Sequence, residues 1–362
     1  MRTMHPTLLV GPADWDALRL PLEEFQARLD ALWCAAAPAN GAIVYGDAAD
    51  HAALAYLTHF TPKLERAIAL LSRDGAAKLL VGGGINMIPA AQPLTWIGNL
   101  LPLRSVAKAV AEWSATLAGG SSLLLIAGDA MRYAMHREIV AALGSDVSID
   151  DATPMVRAQM RRKSARELAA IQEASLVLGE AVAALRQAKD RGVTAAVLAA
   201  EHIAWRRGAQ DVRSLFSLDG GRTLLPFDVL VGAAVDPLQV YLAVRHSGYW
   251  AEGFAMLSAQ PHAPLIAAEA ALQAALAQVA PGVLTETLAT AMPTFAPHPI
   301  TAPSVIGIGL ALQQDVPADE PVGVGEVLSL RAGVSDAQQG SAMVSAMVAV
   351  TENGRDILWS AP

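Results

Sequence analysis

The sequence is strongly apolar yet never continuously so, and that property governs what it can fold into. Hydrophobic residues make up 53% of the 362 residues and charged residues 17%, which excludes a disordered chain. Every apolar stretch is nonetheless cut by a charge, Pro or Gly before the roughly 18 to 20 residues that a bilayer-spanning helix needs. The apolar surface must then be buried in many short elements packed on one another. A chain of this length is expected to form about two domains. With 26 Lys+Arg against 34 Asp+Glu the formal charge is −8. No long basic block offsets this locally, so binding nucleic acid by phosphate neutralisation is not expected. The start of the chain has no apolar segment followed by a cleavage site. The single cysteine, Cys34, allows neither an intrachain disulfide nor a thiolate cluster. The expectation is a cytoplasmic protein that handles a small molecule or short peptide, away from membranes and nucleic acid.

Two zones differ in pattern. Up to about residue 150, short apolar runs alternate with helical segments: 41–45, 78–81 and 122–127 read as strands and 100–117 as largely helix. This is an α/β domain. The run Gly82-Gly83-Gly84 follows a strand but lacks the remaining residues of either phosphate-binding fingerprint, so it reads as a turn. From 144 to 164 the chain is rich in Asp, Ser and Pro and ends in Arg161-Arg162-Lys163, a pattern of a linker with a solvated basic entry. The second domain, 151–362, opens with a helix whose capping box is Ser164 with Glu167. A helix from Thr194 to about Arg207, strand character from 229 to 257, and helices over 263–279 and from Thr285 follow. Antiparallel strands over 327–330 and 342–351 come next, with a hairpin turn at Asn353-Gly354. Strands paired through hairpins, with helices gathered on one face, describe an α+β domain. No internal repeat is evident.

Several short motifs in this second zone resemble the pita-bread fold of the creatinase, prolidase and Xaa-Pro aminopeptidase family. They are Arg162-Lys163-Ser164-x-x-Glu167-Leu168, Gly192-Val193-Thr194, Gly248-Tyr249, Gly307-Ile308-Gly309-Leu310, Gly325-Glu326-Val327-Leu328-Ser329-Leu330 and Val350-Thr351-Glu352-Asn353-Gly354. Tyr45-Gly46-Asp47 and Leu54-Ala55-Tyr56-Leu57-Thr58 resemble the creatinase-like N-terminal module. The resemblance implies an α/β creatinase-like N-terminal domain, an α+β pita-bread domain and a homodimer. It also implies a pair of divalent metals held by two Asp, one His and two Glu, because hard cations need several anionic oxygens. In this sequence those positions fall near Tyr241, on Glu252, on Ile306, on Arg331 and on Ser345. The neighbours of Tyr241 and Ser345 (Val240, Leu242, Val344, Ala346) cannot ligate a metal either. An apolar residue stands where the family's substrate-polarising His is expected, in Pro226-Phe227-Asp228, and its later His-Glu pair reads Gln313-Gln314. No metal and no other cofactor is therefore expected.

Creatinase cleaves a C–N bond with side chains alone, so the same resemblance implies a metal-independent hydrolase of a small polar C–N or amide substrate. Glu252, Arg331 and His298 are its candidate catalytic residues and Tyr241, Trp250 and Ser345 its candidate substrate-binding residues. Glu252 suits an acid/base or an ion-pair role, and Arg331 suits a substrate carboxylate through bidentate hydrogen bonds. Trp250 either lines the pocket or packs. The alternative is a pseudo-peptidase in which Glu252 and Arg331 form a structural pair replacing the metals; a third reading is a metal-dependent Xaa-Pro aminopeptidase. His246 reads as a surface residue in a hairpin turn. Met343 and Met347 read as core.

Overall fold

The computed structural model describes residues 14–36, 38–63, 65–117, 122–226, 233–292 and 304–361. The chain divides into two compact units, Met1–Met160 and Arg161–Pro362, where the sequence placed the division at 150.

In the first unit the short apolar runs become β1 (Gly41–Gly46), β2 (Ala67–Ser72), β3 (Ala77–Val81), β4 (Leu100–Pro102), β5 (Ser122–Ile126) and β6 (Ser148–Asp151). They form one sheet in the order β4-β3-β2-β1-β5-β6. β1 and β2 are buried at every position, as strands covered on both faces must be. β1 runs parallel to β5, and β5 to β6, whereas β2 is antiparallel to β1 and to β3. The longer helices of this unit are α1 (Leu22–Ala35), α2 (Ala52–Thr58), α3 (Val106–Ser114), α4 (Tyr133–Leu143) and α5 (Thr153–Arg161). Trp113 of α3 donates from Nε1 to Ser72 Oγ at 2.9 Å, fixing the helix to the sheet.

Three local expectations are corrected here. The segment 100–117 is a short strand before a helix that starts only at Val106. Pro102 lacks an N–H, and the cap is Ser105, whose hydroxyl accepts from Lys108 N. The stretch 144–164 is not a linker: it holds β6 and α5. Nor is the basic triplet solvated throughout, although Arg162 is exposed. Lys163 is buried, and Arg161 pairs with Glu320 and, at 3.1 Å, with Glu326.

The second unit begins with α6 (Ala165–Ala188), whose capping box is complete: Ser164 Oγ accepts from Glu167 N and the Glu167 carboxylate accepts from Ser164 N. With its continuation to Arg191, this helix is long and apolar enough by length and composition to cross a bilayer, which corrects the reading that no such segment exists. Its buried positions, among them Ile171, Leu178, Val182 and Leu185, face the core of this unit, as those of a core helix do. α7 (Val193–Arg206) packs on α6. Two antiparallel sheets follow. One holds β7 (Asp211–Phe216), β8 (Leu225–Pro226), β9 (Leu238–His246) and β10 (Tyr249–Leu257) in the order β10-β9-β7-β8. The other holds β11 (Val305–Gly307), β12 (Val327–Asp336), β13 (Gly340–Thr351) and β14 (Gly354–Ser360) in sequence order. α6 lies on β9 and β10, while α8 (Ala263–Gln278) lies on β12 and β13 and carries α9 (Thr285–Ala291).

Candidate functional site

The chemistry-bearing residues of the second unit come together where β10 meets β13. β9 and β10 join through Ser247 (φ 50°) and Gly248 (φ 84°), a two-residue turn with both residues left-handed, which matches strand twist. That turn sets a register in which Tyr241 lies opposite Phe254 and Ala243 opposite Glu252. The register of β12 with β13 sets Arg331 opposite Ser345 and Ser329 opposite Met347. Because side chains alternate along a strand, Ser329 and Arg331 share a face.

Hydrogen bonds stitch the two sheets along this seam. Phe254 N donates to Ser345 Oγ at 2.8 Å and Glu252 N to Met347 Sδ at 3.2 Å. The buried Gln239 amide donates to Ala255 O and Met343 O and accepts from Met343 N. On the other face of β10, Gly253 admits the Trp359 ring: a Cβ there would lie 2.2 Å from it. Only glycine lets β10 approach Trp359 this closely.

Glu252 is the centre of the cluster and has no exposed surface. Its Oε1 accepts from Ser329 Oγ at 2.7 Å and from Arg331 Nε at 2.8 Å. Its Oε2 accepts from Tyr241 Oη at 2.7 Å and from Arg331 Nη2 at 2.5 Å. The Arg331 pairing is bidentate, the strongest arrangement open to a carboxylate and a guanidinium. Arg331 is likewise wholly buried, with its guanidinium 5.5 Å from the Phe254 ring centroid. Its Nη1 has no hydrogen-bond partner among the described residues. Burial raises the Tyr241 phenol well above its ordinary value, and the Glu252 charge adds to the shift.

The remaining candidates fall as follows. Ser345 belongs to the cluster, but its hydroxyl serves the Phe254 backbone. Trp250 is buried beside Tyr241 and Phe254 and carries the Arg213 guanidinium at 4.8 Å. Ile306, on β11, pairs with Ser329 of β12. His298 and the segment Phe227-Asp228 lie outside the described residues. His246 is in the hairpin, 3.8 Å from Glu173. Among the described residues no three His, Cys, Asp or Glu side chains gather closely enough to hold a metal ion. Ser329 and Phe254 are the residues that sequence reasoning missed. Ser329 was within reach of it, two positions before Arg331 on the same strand face.

A second buried charged group flanks α6. Lys163 Nζ donates to Gln314 Oε1 at 2.8 Å and to Arg161 O at 3.1 Å. Burial lowers its pKa to about 8, against the pull of Glu167 and Glu326. Gln314, which the sequence resemblance set at the His-Glu pair, is a partner for this lysine.

An N-terminal α/β unit followed by two antiparallel sheets backed by paired helices defines the pita-bread class of fold. Solved structures bear this out. The chain is similar to the X-Pro aminopeptidase from Thermotoga maritima MSB8, with TM-score 0.75 and 16% identity over 90% of this chain and 94% of that one. It is similar to the prolidase from Pyrococcus horikoshii OT3, with TM-score 0.71 and 13% identity over 94% and 99%. A histidine-to-alanine variant of Escherichia coli aminopeptidase P matches with TM-score 0.75 and 14% identity over 93% and 94%. No protein-family model matches the sequence, and comparison with curated proteins finds no match.

Proposed function

We propose that this chain is a pseudo-peptidase: it keeps the fold of the Xaa-Pro peptidases and binds a small molecule or short peptide without metal-dependent turnover. One observation carries the reading. Both Glu252 oxygens are fully engaged by four donors and the carboxylate has no exposed surface. A general acid or base must come within hydrogen-bond reach of the proton it moves. Glu252 would have to break bonds to Arg331, Ser329 or Tyr241 first.

The donor set also does not fit a pair of divalent cations. Such a pair needs several anionic oxygens, and Tyr241, Glu252, Ile306, Arg331 and Ser345 offer a single carboxylate beside a guanidinium that stays charged. Glu252 and Arg331 sum to zero, so two dications would meet uncompensated positive charge at low dielectric. The metal-independent hydrolase would use Arg331 for a substrate carboxylate, yet two of its three nitrogens already serve Glu252.

The test uses protein purified without chelator. Metal content is measured by mass spectrometry, and Xaa-Pro peptides, small amides and guanidino compounds are screened for turnover with and without added Mn²⁺. Metal well below one equivalent and no turnover above the blank are expected. Near-stoichiometric Mn, Zn, Co or Fe overturns the reading, as does turnover above the blank on any of these substrates.

A further inference from the structure

We infer that the first unit carries a binding site for a small oxyanion-bearing molecule, a carboxylate or a phosphate, held by Arg66 and Arg132 at the carboxyl end of the β1/β5 pair. β1 and β5 are adjacent and parallel, with Val44 opposite Ile126. From β1 the chain passes through α2 to β2 on one side, and from β5 it passes through α4 to β6 on the other. Loops leaving two neighbouring parallel strands in opposite directions open a crevice at their carboxyl ends, where open α/β sheets bind ligands. β2 is antiparallel, with Ala67 opposite Gly46, so Arg66 enters at this same end.

A cavity of about 220 Å³ lies there, lined by Tyr45 and Asp47 from β1 and its loop, Glu65 and Arg66 before β2, and Arg132 at the entry to α4. Its polar groups are unevenly satisfied. Asp47 is spent: Oδ1 accepts from Ala49 N at 2.8 Å and Asp50 N at 2.9 Å, and Oδ2 accepts from Tyr45 Oη at 3.0 Å. The arginines are not. Arg66 Nε is buried with no hydrogen-bond partner among the described residues. Neither Arg66 nor Arg132 makes an ion pair among them, in a unit where Arg157 pairs with Asp129 at 2.8 Å.

An orphaned buried donor is costly unless something fills it, and two guanidinium forks facing one cavity match the planar, paired oxygens of a carboxylate or phosphate. Arg66 and Arg132 balance Asp47 and Glu65 in the lining, but the Asp47 oxygens are already engaged by Ala49, Asp50 and Tyr45, so the guanidinium donors are left for a ligand, and Glu65 supplies an acceptor for a hydroxyl or ammonium on it. The volume is below that of sites for drug-sized ligands, so the ligand is small. This site lies wholly in the first unit and stands independently of the Glu252 cluster.

The test is isothermal titration calorimetry on the full chain with inorganic phosphate and, separately, acetate, each against chloride at matched ionic strength. Saturable one-to-one binding of at least one anion is expected, weakened roughly tenfold or more in Arg66→Gln and in Arg132→Gln. Phosphate alone binding assigns a phosphate ligand, acetate alone a carboxylate, and both the shared oxyanion chemistry. Arg132 is exposed, so Arg132→Gln leaves folding intact, as circular dichroism will check, and it decides the matter should Arg66→Gln misfold. Absence of saturable binding by either anion, or unchanged binding in Arg132→Gln, overturns the inference.

Discussion

Glu252→Gln should destabilise the second unit far more than an ordinary polar substitution. It leaves Arg331, wholly buried and with Nη1 already unpartnered, as a charge without a counter-ion. Breaking one side of such a pair costs about 3 to 5 kcal/mol. Arg331→Met should cost a similar amount, since Glu252 would retain only Ser329 and Tyr241 as donors. For a unit of roughly 200 residues, each kcal/mol lowers Tm by about 2 to 4 °C, so a drop of roughly 6 to 20 °C is expected. The double variant Glu252→Leu/Arg331→Met removes both charges, and replacing a buried pair by apolar residues of similar volume is often neutral or stabilising. Its loss should therefore be much smaller than the sum of the single losses. Differential scanning calorimetry is the suitable assay because it separates the transitions of two units that need not unfold together. Single variants costing under about 1 kcal/mol, or a double variant as unstable as the sum, would refute the description of these residues as a closed, mutually neutralising pair.

Other consequences are open to simple measurement. Ser164→Ala removes the cap of α6 and should cost about 1 kcal/mol in a urea titration; no change would show that the capping box contributes nothing here. Gly253→Ala drives a methyl into the Trp359 ring and should cost about 1 to 3 kcal/mol with altered Trp fluorescence; a silent variant would mean that β10 can shift away. Lys163 has a folded pKa of about 8 against 10.5 in the open chain. Between those values the unfolded chain binds the extra proton, so this residue's contribution to stability rises with pH by about 3 kcal/mol at most. Lys163→Met should accordingly be more stable relative to wild type at pH 7 than at pH 10.5, and a difference independent of pH would refute the assignment.

Local chemistry made the edges of several elements legible. Ser164 with Glu167 announces α6 because both orphan groups of one helix start find partners within four residues. Asn353-Gly354 announces the last hairpin one residue late: Thr351 pairs with Gly354, and the turn residues are Glu352 and Asn353. Segments whose state depends on distant partners were less legible. The apolar run 67–72 gives no alternation, since β2 is covered on both faces. Lys163 looks solvated in sequence because its partner, Gln314, stands far along the chain. Glu252 and Arg331 lie on different sheets, and no periodicity links them. Their association was reached only through the family resemblance, and Ser329, the donor that completes Glu252, was not reached at all.

Charge neutrality at the seam explains how a carboxylate with no exposed surface can sit between two packed sheets. Carboxylates gathered without cations repel one another and force protonation or opening of the sheets. Here a single glutamate meets a single arginine, so no such repulsion arises. Serine and tyrosine hydroxyls then fill the remaining lone pairs, and Ser345 turns its oxygen to the Phe254 backbone, holding β10 against β13. The cross-sheet attachment thus comes from side chains of the two sheets themselves. On this reasoning Arg331→Glu is the most damaging single change at the seam: it would set two buried carboxylates side by side where one guanidinium now neutralises one. Wild-type stability in that variant, measured in the absence of divalent metal, would show that the arginine is not what keeps the sheets together.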